Sequence, residues 1–439
     1  MSFYKEVPGL EKTLESTLKF DVVPTTGSTN PVTSDGVASG ISQSMRDFEE
    51  VMYADQEIPE STLRFSFGDL NYDPTQDTTV ASRHNTSDRA GGGTPAGYGG
   101  TWKKLRTKYT NIWDYTYVDD TLLNEFDNGN YIYEATPATR FWNDVENNPI
   151  KIIASNTAGC ESFKRAFQGC WAITEIWELD MSSATNTSLA FSYCKNLQTI
   201  CKLDCSSSEN DSAMFQYCFK VDNIELTLID DDSISNSAQN IFLACESLTT
   251  IKGVLDFKSV TNAQGAFSAC QKLNDFALEN TDRITNMKFM FAACFELSMG
   301  FINSIDTSSA TSILCMLDGN YISSNGGYRI YEVNGIMKRI TEVPAFDFSH
   351  VSDCRETFDN CDIKVIDATK LASLSGSVNV NYMFENNRNC KSGILDAYAV
   401  LDAVDNIHND CFKNCGIDTP TGRAELEQIP ASWGGLAEG

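Results

Sequence analysis

Residues 266–306, AFSACQKLNDFALENTDRITNMKFMFAACFELSMGFINSID, contain one phrase written twice. Ala266-Phe267-Ser268-Ala269-Cys270 returns as Met290-Phe291-Ala292-Ala293-Cys294, and each copy is followed by a leucine three residues past the cysteine, Leu273 and Leu297. The Phe-x-x-Cys core recurs at Phe167/Cys170, Phe191/Cys194, Phe215/Cys218, Phe242/Cys245, Phe358/Cys361 and Phe412/Cys415. From Phe167 to Phe291 the phenylalanines step by 24, 24, 27, 25 and 24 residues. Such self-similarity constrains a fold more than any local motif, because one short unit cannot bury its own apolar face and the copies must stack. At the next expected place Leu314-Cys315-Met316-Leu317-Asp318 reads as a degenerate copy, with Cys315 and Asp318 in the Phe and Cys slots. Phe384 keeps the phenylalanine and places Asn387 in the cysteine slot.

A period near 24 belongs to the range of leucine-rich solenoids. The expected fold is therefore α+β. A leucine-rich-repeat solenoid occupies residues 151–415, each repeat combining a short helical turn that carries Phe and Cys with a brief strand around the following Leu and Ile. Ten or so rungs at about 4.8 Å each would span about 45–50 Å. The phenylalanines plug the core between rungs. Eight of the fifteen cysteines occupy the repeated slot, so they are read as stacked, reduced core residues rather than disulfide partners. An inward Cys or Asn at that place can also satisfy the backbone of the bend.

One rung is interrupted at about residues 319–338. Asn325-Gly326-Gly327 between Tyr321-Ile322 and Tyr328-Arg329-Ile330-Tyr331 is a hairpin signal. Insertions in solenoids map to loops on one face, often the binding face, which makes Tyr321, Tyr328 and Tyr331 candidate recognition residues. A subunit-contact hairpin or a neutral decoration are the alternatives. Residues 416–439 lose the pattern and are expected to form a cap with a loose tail.

Upstream, residues 59–150 are expected to be a β-rich module: Leu63-Arg64-Phe65-Ser66-Phe67 alternates at period two, and residues 108–117 are rich in aromatics and strand formers. Trp102, Trp113 and Trp142 are assigned to its core. Residues 1–58 are expected to form a helical and linker segment for anchoring or oligomerisation. Leu10, Leu14 and Leu18 mark one amphipathic stripe, and Val37, Ile41, Met45, Phe48 and Met52 a second. Neither stripe can be buried by its own helix, and a short bundle on a symmetry axis is one solution.

With 33 Lys+Arg against 60 Asp+Glu, the net charge is −27. That field repels phosphate backbones, so no nucleic-acid partner is expected. No run approaches the roughly 18 apolar residues of a membrane span, and the first residues lack the apolar stretch of an export signal. Membrane insertion is not expected. Three histidines, His84, His350 and His408, stand in unrelated surroundings, leaving no evident catalytic set. His408, Cys411 and Cys415 resemble half of a zinc site without a second half, and Asp230-Asp231-Asp232 reads as a solvated turn. No enzyme activity, metal or cofactor is expected.

The repeat resembles the BspA-like leucine-rich repeat family, whose pattern is approximately Val-Thr-x-Met-x-x-Met-Phe-x-x-Cys-x-x-Leu. Ile284-Thr285-Asn286-Met287 through Met290-Phe291, Cys294 and Leu297 follows it closely, as does Val260-Thr261-Asn262-Ala263 through Leu273. The likeness covers residues 158–415 and implies adhesion or surface interaction. Val23-Pro24-Thr25-Thr26-Gly27-Ser28-Thr29-Asn30-Pro31 through Gly36-Val37 resembles a linker in fibre and appendage proteins of tailed bacteriophages. That resemblance makes Pro24, Gly27, Asn30, Pro31, Val37, Ile41, Met45 and Phe48 candidate anchoring residues. Together the two likenesses imply a virion fibre or receptor-binding protein, assembled in the host bacterial cytoplasm as a homotrimer. Residues 1–58 would meet other virion proteins, and the solenoid would bind a bacterial surface glycan or protein. A bacterial surface adhesin and a solenoid polysaccharide depolymerase are the alternatives.

Overall fold

The computed structural model describes residues 50–74, 100–105, 110–117, 149–157 and 160–437, apart from residues 51, 55, 61, 161–162, 165, 229–236 and 326–327. The two amino-terminal helical stripes up to residue 49, the candidate anchoring residues Pro24 to Phe48, Asp230-Asp231-Asp232 and the glycine-rich stretch before Gly100 lie outside them.

From residue 150 the chain winds into a β-solenoid of about 10 coils. Strands β1 (Thr62–Phe67), β2 (Gly100–Lys104), β3 (Asn111–Tyr117), β4 (Ile150–Asn156), β5 (Ile173–Ile176), β6 (Leu179–Asp180), β7 (Thr199–Cys205), β8 (Asn223–Leu228) and β9 (Thr250–Lys252) form one sheet. Its order is β2-β3-β1-β4-β5-β7-β8-β9, with β6 joined at the side of β7. Pairing is parallel from β4 onwards and antiparallel among β1 to β4. The amino-terminal β module is thus a cap whose strands extend the solenoid's own sheet, and β4 is the seam.

The cap holds a buried polar layer that period-two alternation does not foretell. All six residues of β1 are buried. Arg64 forks onto Asp114, Nε to Oδ1 at 2.7 Å and Nη2 to Oδ2 at 3.0 Å, and donates to the Tyr53 carbonyl. Ser66 donates to Glu50, which also pairs with Lys151, while Asn156 donates to the Ile58 carbonyl. Residues 50–58 therefore pack on the cap, and their carbonyls and carboxylate satisfy buried groups that would otherwise cost several kcal/mol, roughly 3–5 for an orphaned buried charge. Trp113 lies in the core as expected; the side chains of Trp102 and Trp142 lie outside the described residues.

Each coil differs from the expected helical turn. The residues two before and two after the phenylalanine have positive φ: Leu189 and Tyr193 around Phe191, Ala213 and Tyr217 around Phe215, Phe289 and Ala293 around Phe291. Amide groups then alternate in direction. Leu189, Phe191 and Tyr193 donate along the axis to Ser212, Met214 and Gln216, while Ala190, Ser192 and Cys194 donate three residues back within their own coil. Every such amide is paired, which offsets the roughly 1–2 kcal/mol that a left-handed conformation costs a non-glycine residue.

Among the described residues helices are few and short, which corrects the expected α+β balance there: besides the helical residues 50 and 52–54 they include α1 (Met299–Ile302), α2 (Ile394–Asp402) and α3 (Pro420–Leu426), with two 3-10 turns. The short strands β10 (Val254–Asp256) and β11 (Ala277–Glu279) pair in parallel on a second side of the coil, as do β14 (Ser377–Asn379) and β15 (Asp405–Ile407). The insertion is a hairpin of β12 (Asn320–Asn325) and β13 (Tyr328–Asn334). The carboxyl end is a packed cap rather than a loose tail. Thr419 caps α3, Leu426 and Ile429 are fully buried, and the Trp433 ring closes the phenylalanine stack at 6.2 Å from Phe412. No helix among the described residues is long and apolar enough to cross a membrane.

Candidate recognition face

The repeated residues form two internal columns. Phe167, Phe191, Phe215, Phe242, Phe267 and Phe291 stack at 5.2–5.6 Å with rings nearly parallel. Phe358, Phe384 and Phe412 resume the stack at 5.4 and 5.6 Å. These are offset-stacking distances, and the column adds specific contacts to its area burial. Beside it, each repeat thiol donates to the carbonyl of the preceding phenylalanine: Cys194 to Phe167, Cys218 to Phe191, Cys245 to Phe215, Cys270 to Phe242 and Cys294 to Phe267, at 2.9–3.2 Å. Burial pushes these thiols well above the ordinary cysteine range, so they remain neutral donors. Cys170, Cys361 and Cys415 are buried as well, and the cysteines are thiols rather than disulfide partners.

Asn387 shows why Cys and Asn exchange in this slot. Its Nδ2 donates to the Phe358 carbonyl at 2.7 Å, the bond a thiol makes elsewhere, and to the Phe384 carbonyl at 3.1 Å. The interrupted rung is corrected by two residues. The Cys361 thiol donates to the Leu317 carbonyl, and the Leu317 amide occupies the ladder position of the phenylalanines. Leu317, not Cys315, fills the Phe slot; the residue three further on is Asn320, not Asp318.

A column outside the main core varies where the inner ones repeat. The position two past the phenylalanine carries Tyr193 and Tyr217, then Ala244, Ala269 and Ala293, then Asn360, Asn386 and Asn414. Tyr193 and Tyr217 meet at 4.6 Å and Phe219 packs on Tyr217 at 5.9 Å. The alanines join Leu243, Ala292, Tyr321 and Val333 in a second apolar cluster outside the main core, flanked by half-buried Phe289 and Phe295. Small side chains in that block let the hairpin root sit against the coils. Beyond the hairpin the column turns polar, with Asn414 donating to Asn386 and Asn386 to Asp359.

Tyr321 is therefore an anchor of the hairpin: it is 9% exposed and meets Phe289 edge-on at 6.0 Å. The backbones of Tyr328 and Tyr331 lie in β13, and their side chains fall outside the described residues. His408 stacks on Trp433 at 4.0 Å and bonds to Asn406 through Nδ1, so its ring closes the carboxyl cap.

Three features were not anticipated. One is a row of Asx turns eleven residues before the phenylalanine slot (Leu317 in the case of Asp306), in which Asp180, Asp204, Asp256, Asp306 and Asp347 each accept from the amide two residues on. The repeated Leu179-Asp180, Leu203-Asp204, Leu255-Asp256 and Ile305-Asp306 pairs carry that signal in the sequence. A second is an amide ladder at Asn186, Asn210, Asn262, Asn286 and Asn379, which caps the bend before each phenylalanine. The third is a buried acidic cluster at the hairpin root, where ligand-type atoms of Cys315, Asp318 and Glu356 lie within 4.8 Å of one another.

The family described as "Mycoplasma protein of unknown function, DUF285" matches residues 161–280 and again 274–398, together more than half of the chain. No curated protein matches it, and no solved structure does.

Proposed function

This chain belongs to that repeat family, and from that premise we propose that it is a recognition scaffold of the BspA-like leucine-rich type. The observation that carries the reading is the contrast between columns. Inward positions repeat Phe and Cys coil after coil, while the position two past the phenylalanine, outside the main core, changes from Tyr to Ala to Asn, being half-buried at Tyr193, Asn360, Asn386 and Asn414 and buried at Tyr217 and the alanines. A fixed interior beside a column that opens to solvent in part, at Tyr193 and at the asparagines, supports a surface for a glycan or a protein partner, the ring offering stacking and the amides hydrogen bonds.

Its finer form is a bacteriophage fibre or appendage protein that binds a host receptor, and it rests on the linker resemblance at residues 23–37. The Mycoplasma in the family's description favours a second reading, a cellular adhesin. Binding of the full chain to bacterial cells and to a panel of surface glycans tests the shared core of both readings. Tyr193→Ala and Asn386→Ala leave the inner columns intact and are expected to weaken binding. Unchanged binding in both variants would remove this face from recognition, and consumption of the glycan would replace the scaffold by a depolymerase. For the fibre form, the test is the mass of the full chain beside one starting at Glu49, a cut that spares Glu50 and Tyr53. A trimer falling to a monomer supports an amino-terminal stem, and a monomer in both cases removes it.

A further inference from the structure

The last coil departs from the thiol ladder in a way that sets two cysteines against each other. Elsewhere a repeat thiol donates to the carbonyl of the preceding Phe slot, as Cys294 does to Phe267 and Cys361 to Leu317. For Cys415 that acceptor is the Phe384 carbonyl, which Asn387 Nδ2 already holds at 3.1 Å. The Cys415 thiol donates instead to the sulfur of Cys390, whose own thiol is directed at the Ser392 carbonyl, 3.5 Å away. Cys390 is itself an exception: it stands three residues past Asn387, where earlier coils place Leu197, Leu248, Leu273 and Leu297 past their cysteines. The two stretches of backbone are close as well. A Cβ on Gly416 would lie 2.9 Å from the Cys390 carbonyl oxygen, and Thr419 Oγ1 donates to that oxygen at 2.6 Å. Both cysteines are fully buried.

We propose that Cys390 and Cys415 are an oxidisable pair, which hydrogen peroxide joins in a disulfide that staples the carboxyl cap to the solenoid. The hydrogen bond from Cys415 holds the Cys390 thiol below the usual cysteine range, while burial pushes Cys415 above it, so Cys390 is the nucleophile and Cys415 the resolving thiol. The Cys390 thiolate attacks one peroxide oxygen, the O–O bond breaks and hydroxide leaves, giving a sulfenic acid. The Cys415 sulfur then attacks the Cys390 sulfur, the S–O bond breaks, and the oxygen departs as water with the Cys415 proton. The proton shed by Cys390 turns the hydroxide into a second water, and two electrons have passed from the thiols to the peroxide. Peroxide is close to water in size, and a terminal coil, with a full coil stacked on one side only, opens most readily. The ladder thiols Cys194, Cys218, Cys245, Cys270 and Cys294 donate to carbonyls instead, and burial keeps them protonated. The new bond would close a loop around α2 and fix residues 416–437, whose α3 and Trp433 seal the stack, to the coil before them.

The test exposes the native full chain to hydrogen peroxide at a dose that oxidises the exposed Cys201, then alkylates it in denaturant, digests it with trypsin and weighs the fragments. Fragments 389–391 and 414–423, which carry Cys390 and Cys415, are expected to appear joined and to separate after dithiothreitol. Hydrogen exchange at residues 416–437 is expected to slow about tenfold or more in the oxidised protein, while residues 186–228 stay unchanged. Cys390→Leu, which restores the residue type of the earlier coils, is expected to remove both effects. Cys415→Ser, the second variant should the first not fold, is expected to do the same. Recovery of both fragments alkylated and separate, a bond from Cys415 to the fragment carrying Cys411, or a joined pair that leaves exchange at residues 416–437 unchanged would overturn the staple.

Discussion

Asn387 offers the sharpest test of the internal ladder. It is fully buried and satisfies three backbone groups: the Phe358 carbonyl at 2.7 Å, the Phe384 carbonyl at 3.1 Å, and the Ile363 amide, which donates to its Oδ1 at 3.1 Å. Asn387→Leu keeps the volume but orphans all three. At roughly 1–3 kcal/mol for each unmet buried group, less roughly 1–2 returned by the added apolar burial, the expected loss is about 3–4 kcal/mol. Asn387→Cys restores the first bond in the form that Cys194, Cys218 and Cys270 use, so about half of that loss is expected, roughly 1.5–2 kcal/mol. Urea unfolding of the full chain followed by circular dichroism gives the two values. Hydrogen exchange across residues 354–415 checks that the loss is centred there, since stacked coils can open in parts. A leucine variant within about 1 kcal/mol of wild type, or a cysteine variant as damaged as the leucine one, would refute the claim that Cys and Asn share the slot for their donor.

Truncating one ring of the stack, Phe242→Ala, is expected to cost roughly 3–5 kcal/mol in the same urea assay, because Phe242 lies between Phe215 and Phe267 at 5.6 Å on either side. Asp211 is buried, and desolvation lifts it to about 6 against the hydroxyl bonds from Thr187 and Ser208; its stabilising contribution is present below pH 4 and lost through pH 6. Asp211→Asn should therefore flatten the stability profile between pH 4 and 7, with a gain at pH 7 of about 2–3 kcal/mol at most, checked by unfolding at each pH. Of the fifteen cysteines, only Cys201 is exposed, so a thiol reagent should modify one site quickly in the native protein and the rest only on unfolding. Cys201→Ser should abolish the fast phase, and several fast sites would contradict the buried ladder.

The period, the Phe and Cys columns, the interruption and the strand after Cys170, Cys194, Cys218 and Cys245 were legible, because each is a matter of residue spacing, whereas α1 stands where a strand was expected after Cys294 and none directly follows Cys361 or Cys415. Backbone sign was not legible. A phenylalanine flanked two residues away by Leu189 and Tyr193 looks the same to a periodicity argument whether the turn is helical or left-handed. What decides is the axial ladder, which exists only once a second coil is stacked on the first. The two-residue error at the degenerate rung has the same origin. Cys315 and Asp318 match the template by letter, whereas Leu317 matches it by hydrogen bond. The hairpin face was legible only in part: its tyrosines drew attention, yet Tyr321 is its anchor, and the acidic cluster beside it sets Asp318 against Glu356, which is far from it in sequence and lies on the next coil.

The same logic explains why function and architecture separate so cleanly in this chain. Each coil commits its inward positions to a ring and a donor, and its bends to Asx turns and amide caps, so those residue types cannot vary without leaving a cavity or an orphaned group. The two positive-φ positions obey a different rule. They fix the backbone yet accept Tyr193, Ala269, Asn386 and Asp410 alike, none of them β-branched, the side chains a left-handed residue tolerates least. Variation is therefore cheap at the positions whose side chains leave the core, and the hairpin root illustrates the result: three alanines, Ala244, Ala269 and Ala293, make room for it. If that division is right, Ala269→Tyr should keep the coil's thermal transition within a few degrees while expelling the hairpin, seen as accelerated exchange at residues 320–334 alone. Collapse of the neighbouring coils together with the hairpin would show instead that this face is part of the structural core.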